Sequence, residues 1–374
     1  RPSPHPLLLD RKRAPIAWTA RLRICFVRMD EQTFHELLQR GARYNASDAL
    51  FKVGQPPAFR VAGSLHYLQG ERLRAEHTQS LAAIVLQKSR YRGELQDLTE
   101  YDTAYDVPGV GRYRANVYRQ RGSFALALRN IPLVIPTFEQ LGVPDATRLL
   151  AELERGMVLV VGAAGNGKSS TLAAMIGHIN ANRRAHVVTI EDPIEFLHQD
   201  QLATISQREI GLDTPDFTTA LRAALRQDPD VVLLGEIRDE DTMDTALKAA
   251  ETGHLVLSTL HTPDVARTIG RILALTKSAE PGETRERLAD NLKGVVAQRL
   301  LPARDGESRV LAAEVLIVTG TARESIRKPD KNPSLKEVME RGVHPYGMQT
   351  FEMGLRKLVV EEKLSVEVAR QALD

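Results

Sequence analysis

Met157-Val158-Leu159-Val160-Val161-Gly162-Ala163-Ala164-Gly165-Asn166-Gly167-Lys168-Ser169 decides the fold. Five apolar residues read as a short strand, and Gly162 to Ser169 matches G-x-x-x-x-G-K-[S/T], a phosphate-gripping loop. After the loop, Leu172, Met175, Ile176 and Ile179 recur on one helical face. Strand, glycine loop and helix therefore follow in the order that lets backbone N–H groups converge on phosphate oxygens at a helix N-terminus. Lys168 is the candidate to neutralise the β and γ phosphates, and Ser169 the candidate hydroxyl ligand of Mg²⁺. Ser170, a first-turn helix residue, closes the nucleotide-binding set that begins at Gly162.

Apolar runs alternate with helical periods on either side of the loop. Strands are expected over Met157 to Val161, His186 to Ile190, Val231 to Leu234 and Leu255 to Leu260. Helices are expected over Phe217 to Leu225 and Thr242 to Ala250. That alternation implies right-handed crossovers and a mostly parallel sheet, an α/β fold. From about Arg285 the chain is expected to become mainly helical.

In such sheets ligands bind beyond the carboxyl ends of the strands. The second strand runs into Glu191-Asp192-Pro193-Ile194-Glu195, three carboxylates that are costly together unless a positive group, such as a nucleotide-bound metal, lies near. One of them could orient and deprotonate an attacking water. The third strand ends in Gly235-Glu236-Ile237-Arg238-Asp239, an apolar-then-acid pattern with glycine where aspartate is usual. Glu236 is then the candidate Mg²⁺ holder, partly through water, and Asp239 a helix N-cap. His254 and His261 bracket the fourth strand; His261, at its carboxyl end, is the stronger candidate to sense a γ-phosphate.

The chain has 374 residues, 43% hydrophobic and 26% charged, which fits two or three globular domains. No apolar stretch approaches the roughly 18 residues needed to span a bilayer, so membrane association is expected to be peripheral only. The single cysteine, Cys25, excludes an intramolecular disulfide framework and a cysteine zinc site, and fits the cytoplasm. The formal charge of +2 conceals an asymmetry, because residues 1–28 hold seven basic groups and one acid. Without them, 43 basic residues face 47 acidic ones, which argues against a nucleic-acid partner. Residues 1–28 are read as upstream sequence outside the native protein or a disordered arm, with a targeting or lipid-surface arm as the alternative.

Residues 29–130 mix helices (Glu31 to Gln39, Gln79 to Gln87) with β-like runs (Ala58 to Val61, Tyr113 to Tyr118, Phe124 to Leu128), a smaller α+β domain. Two prolines in Ile131-Pro132-Leu133-Val134-Ile135-Pro136 make 131–136 a stiff extended linker. An ATPase core is expected over 137–282 and a helical region over 283–374.

These segments together resemble the Walker A, Asp, Walker B and His boxes of the secretion ATPase superfamily. Within it the chain resembles the PilT/PilU-type retraction ATPases of type IV pili. Ala46-Ser47-Asp48, Gln207-Arg208-Glu209 and Gly347-Met348-Gln349-Thr350 add to the likeness, which spans Met29 to Asp374. The resemblance implies a RecA-like P-loop ATPase domain with a PAS-like N-terminal domain, using ATP and Mg²⁺. It implies a homo-hexamer on the cytoplasmic face of a bacterial inner membrane, acting on a pilus platform protein and giving twitching motility. On the family pattern Glu195 is the general base, Glu236 supports Mg²⁺, and arginines of the N-terminal domain, here Arg112, Arg114 and Arg121, complete the site.

Family retraction motors often carry Ala-Ile-Arg-Asn-Leu-Ile-Arg-Glu after the core. Here Thr321-Ala322-Arg323-Glu324-Ser325-Ile326-Arg327-Lys328 keeps three of eight positions, which favours an accessory motor beside a paralogous retraction ATPase. Pilus assembly and type II secretion ATPases share the four boxes but usually carry a four-cysteine zinc insertion. A regulatory ring partner that binds nucleotide with little turnover is the alternative from another class.

Overall fold

The computed structural model describes residues 29–61, 63–132, 134–276, 281–306 and 308–373. The arm 1–28, with Cys25, lies outside them. Two compact units divide between Ile131 and Pro132.

The N-terminal unit holds helices α1 (Glu31–Arg43) and α2 (Ala75–Gln87) and strands β1 (Asp48–Lys52), β2 (Ala58–Val61), β3 (Ser64–Tyr67), β4 (Glu100–Val107), β5 (Gly111–Gln120) and β6 (Ser123–Ile131). The strands form one antiparallel sheet in the order β3-β2-β1-β6-β5-β4. Asp30 caps α1 by accepting from the Thr33 amide at 2.9 Å, and Phe34, Leu37, Leu38 and Gly41 form its buried stripe. On β5, Tyr113, Ala115 and Val117 point into the core, so Arg112 and Arg114 share the opposite face.

The C-terminal unit holds helices α3 (Phe138–Leu141), α4 (Ala146–Ala151), α5 (Lys168–Asn182), α6 (Phe217–Ala224), α7 (Glu240–Glu251), α8 (Val265–Leu275), α9 (Pro281–Asn291), α10 (Gly320–Arg327), α11 (Leu335–Arg341), α12 (Phe351–Val360) and α13 (Val366–Gln371). Its strands are β7 (Gly156–Val161), β8 (His186–Glu191), β9 (Thr204–Glu209), β10 (Val231–Leu234), β11 (Leu255–Leu260), β12 (Leu292–Pro302) and β13 (Arg309–Ile317). They form a sheet in the order β13-β12-β7-β11-β10-β8-β9, parallel except for the β12–β13 pair. Every residue of β7 is buried because helices cover both faces. Met157, Leu159 and Val161 pack on the face that carries α7 and α8, whereas Val158 and Val160 pack against α4 and α5. This double cover makes β7 a rigid stalk for the glycine loop.

The expectation of a mainly helical 283–374 leaves out β12 and β13, which lie among its helices and extend the core sheet instead of starting a separate layer. The physical reason is burial on both faces. Val295, Val296 and Ala297 are all fully covered, so no in-out alternation marks the strand, and such a run cannot be told from a buried helix by period alone.

Candidate active site

The P-loop leaves β7 and enters α5 at Lys168. Gly162 has φ +147°, and a Cβ there would lie 2.5 Å from the Gln298 carbonyl oxygen on β12, so only glycine fits. Gly167, at φ +80°, is the left-handed residue from which α5 starts. Strand β12 also braces the loop directly. The Leu300 amide donates to Asn166 Oδ1 at 3.1 Å, and fully buried Gln298 donates through Nε2 to Thr171 Oγ1 at 2.7 Å. Sequence reasoning assigned no role to Gln298, although a lone amide inside an apolar run was a visible signal that a buried partner exists.

A cavity of 530 Å³ opens over the loop, lined by Lys168, Ser169 and Ser170, by Glu191 at the end of β8 and Asp192 and Glu195 beyond it, by Glu236 beyond β10, and by His261 beyond β11. Its size suits a nucleotide. Lys168 is 8% exposed, and its ammonium donates to the Ala163 carbonyl at 3.1 Å. Burial pushes its pKa down, while the Glu236 and Glu195 carboxylates pull it back up. A cation held this way, facing carboxylates across an open cavity, is poised for phosphate oxygens.

The three acids at and after the end of β8 have distinct surroundings. Glu191 turns inward, taking hydrogen bonds from Thr189 Oγ1 at 2.7 Å and Gln207 Nε2 at 3.1 Å, and burial pushes its pKa up. Asp192 sits 3.9 Å from Arg238. Glu195 accepts from Ser169 Oγ at 2.9 Å, next to the hydroxyl that the motif assigns to a metal. Glu236 is ion-paired with Arg238 and lies 3.3 Å from His261 Nε2.

The hydroxyl of Ser169 and the carboxylates of Glu195 and Glu236 are hard oxygen donors, a set that fits Mg²⁺. Among the described residues no cluster of three or more His, Cys, Asp or Glu could hold a metal by itself. Ser169 and Glu236 would therefore share the ion with phosphate oxygens and water, as Mg²⁺ prefers.

Of the two bracketing histidines, His254 is held at the opposite end of β11 by the Ala249 carbonyl at 2.9 Å and Thr252 Oγ1 at 3.1 Å, so its role is local. Asp239 caps α7 by accepting from the Thr242 amide at 2.8 Å. Arg112, Arg114 and Arg121 belong to the N-terminal unit. Arg112 reaches Asp106 at 3.4 Å, Arg114 is exposed in register with Arg129 on β6, and Arg121 occupies the β5–β6 turn at φ +49°. Neighbouring Arg119 is consumed internally, by the Leu95, Gln96, Leu98 and Gly122 carbonyls and the Phe124 ring.

A family model described as "Type II/IV secretion system protein" matches residues 127–372. The type IV pilus retraction ATPase PilT of Pseudomonas aeruginosa is 40% identical over 337 residues, covering 90% of this chain and 96% of PilT. The type IV pilus ATPase PilU of the same organism is 39% identical over 336 residues, covering 90% and 87%. This chain belongs to the PilT/PilU-type secretion ATPases. A crystal structure of the pilus retraction motor PilT with bound ADP superposes with a TM-score of 0.80 at 39% identity, covering 90% of this chain and 96% of that one. The Legionella pneumophila ATPase DotB gives 0.79 at 27% identity, covering 93% and 96%. The secretion ATPase fold thus extends over both units.

In this PilT/PilU-type chain, two of the three retained positions of the Thr321–Lys328 stretch have structural work. Ile326 is buried, and Arg327 ties α10 to α9 through Glu286 at 2.5 Å and Asp290 at 2.8 Å.

Proposed function

We propose that this chain is an ATP-hydrolysing motor of the type IV pilus system that drives pilus retraction and twitching motility. One observation carries the reading: Lys168 and Ser169 face Glu195 and Glu236 across a single cavity, in a chain that matches PilT over 90% of its length. Loop amides and Lys168 hold the β and γ phosphates of ATP, and Ser169 and Glu236 hold Mg²⁺. The ion supplies neutralisation of charge on the phosphate oxygens. Glu195 orients the attacking water and takes its proton, a role supported by its contact with Ser169 and by the commitment of Glu191 elsewhere. His261, hydrogen-bonded to Glu236, reports γ-phosphate occupancy.

On the family pattern Arg112, Arg114 and Arg121 complete the site in a homo-hexameric ring, either within one subunit or across a subunit boundary, and mixed rings separate the two. With a site shared across the boundary, rings mixed from Lys168→Ala and Arg114→Ala subunits are expected to regain ATPase activity that neither parent has, and no recovery at any ratio would contradict shared sites. The ring works at the cytoplasmic face of the inner membrane against a pilus platform protein. Among the described residues no helix is long and apolar enough to cross a membrane, so attachment in this reading is peripheral. The divergent Thr321–Lys328 stretch supports an accessory role beside a paralogous retraction ATPase. Deleting the gene and imaging labelled pili tests the function. Hyperpiliated, non-retracting cells are expected; unpiliated cells would assign the chain to assembly.

A further inference from the structure

The segment that carries Glu195 has no regular hydrogen bonding of its own. Residues 192–200 run between β8 and β9 as neither helix nor strand, so no backbone ladder fixes the Glu195 carboxylate. Side chains of edge strand β9 do this instead. Gln207 pairs in register with Thr189 of β8, and its amide makes three hydrogen bonds. Nε2 donates to the Phe196 carbonyl at 2.9 Å and to Glu191 Oε1 at 3.1 Å, while Oε1 accepts from the His198 amide at 2.9 Å. Two residues along the same face, buried Glu209 accepts from the Ile194 amide at 3.3 Å. The segment is thus gripped at 194, 196 and 198, alternate positions that straddle Glu195. Glu191 adds a fourth grip by accepting from the Glu195 amide at 3.4 Å.

We infer that Gln207 is a positioning residue for hydrolysis, holding the Glu195 carboxylate against Ser169 without itself lining the nucleotide cavity. The inference rests on Glu195 being the general base. Its mechanism is orientation: a displacement of about 1 Å can cost on the order of 100-fold in rate while leaving substrate binding intact. A purely structural glutamine would behave otherwise, since its loss would lower stability and nucleotide affinity along with turnover.

The test uses the full chain in its assembled state. Gln207→Leu keeps the volume but can neither donate nor accept. Its kcat is expected to fall by about tenfold or more, with KM for ATP and the affinity for a fluorescent ADP analogue within about threefold of the parent. In a Glu195→Gln background, the same substitution is expected to cost less than about twofold, because the group it positions is gone. Equal losses with and without the Glu195 carboxylate, or an unchanged kcat in the parent, would overturn the inference. Should Gln207→Leu not assemble, Gln207→Glu keeps the acceptor for His198 but loses the amide donor, and parent-like kcat in that variant would be equally fatal. Normal turnover in Glu195→Gln alone would instead show that the base assignment had failed, and the positioning role with it.

Discussion

Lys168→Ala is expected to reduce ATP turnover by at least about 10³-fold and to weaken nucleotide binding in parallel, the scale of losing a preorganised charge at a site of phosphoryl transfer. Lys168 is 8% exposed as a residue, and burial already disfavours its charged form, so part of the desolvation cost of the ammonium is met by the fold before phosphate arrives. No other basic side chain sits on the glycine loop itself. Without nucleotide, the ammonium donates to the Ala163 carbonyl. Removing it relieves a buried charge and forfeits one hydrogen bond, so the melting temperature is expected to stay within a few degrees. Phosphate release, fluorescent nucleotide titration and a thermal melt on one preparation separate these effects. Retained binding and turnover would mean that the loop does not grip phosphate.

Glu195→Gln is expected to keep ATP affinity while slowing hydrolysis by about 100-fold or more. The substitution preserves shape, and an amide oxygen can still accept from Ser169 Oγ, so the cavity should remain intact. What disappears is the capacity to take a proton from water. Single-turnover kinetics with prebound ATP read the chemical step separately from product release. Undiminished chemistry would move the base to Glu236 or Glu191. Glu191 is the poorer substitute, because Thr189, Gln207 and the Glu195 amide already occupy its oxygens.

These two predictions draw on residues that the sequence exposed by local pattern. The glycine loop, the acidic strand ends and the strands Val231–Leu234 and Leu255–Leu260 follow from motif and apolar runs a few residues long. Parallel strands covered on both sides are continuous in hydrophobicity, and turns or acids bound them sharply. The same continuity hid β12 and β13, where Ala297, Ala312 and Ala313 dilute the β-branched signal, although Asp305-Gly306 between them, with Gly306 at φ +71°, is a hairpin turn signal. In the N-terminal unit β4 was missed for the opposite reason. Its Glu100, Asp102 and Asp106 are poor strand formers, which obscures the alternation that turns Tyr101, Thr103, Tyr105 and Val107 toward the core. Gln207, finally, carries meaning only through the register of β9 beside β8, which no local pattern specifies.

Contacts between β12 and the loop show why that omission matters for mechanism. Asn166 is held by the Leu300 amide, and Thr171 by Gln298, so the phosphate site is anchored to the last strands of the sheet. The next residue, Arg299, stacks on Phe351 of α12 and reaches the Ala372 carbonyl. The carboxyl-terminal helices are thereby tied to the nucleotide loop through one strand.

Magnesium-dependent ATP hydrolysis by the purified, oligomeric chain, measured beside Lys168→Ala as its blank, tests most directly whether this cavity splits a triphosphate. The predicted result is turnover that vanishes both with chelation of the metal and with loss of the lysine. Turnover indistinguishable from that of Lys168→Ala, or none at all with magnesium present, would contradict it.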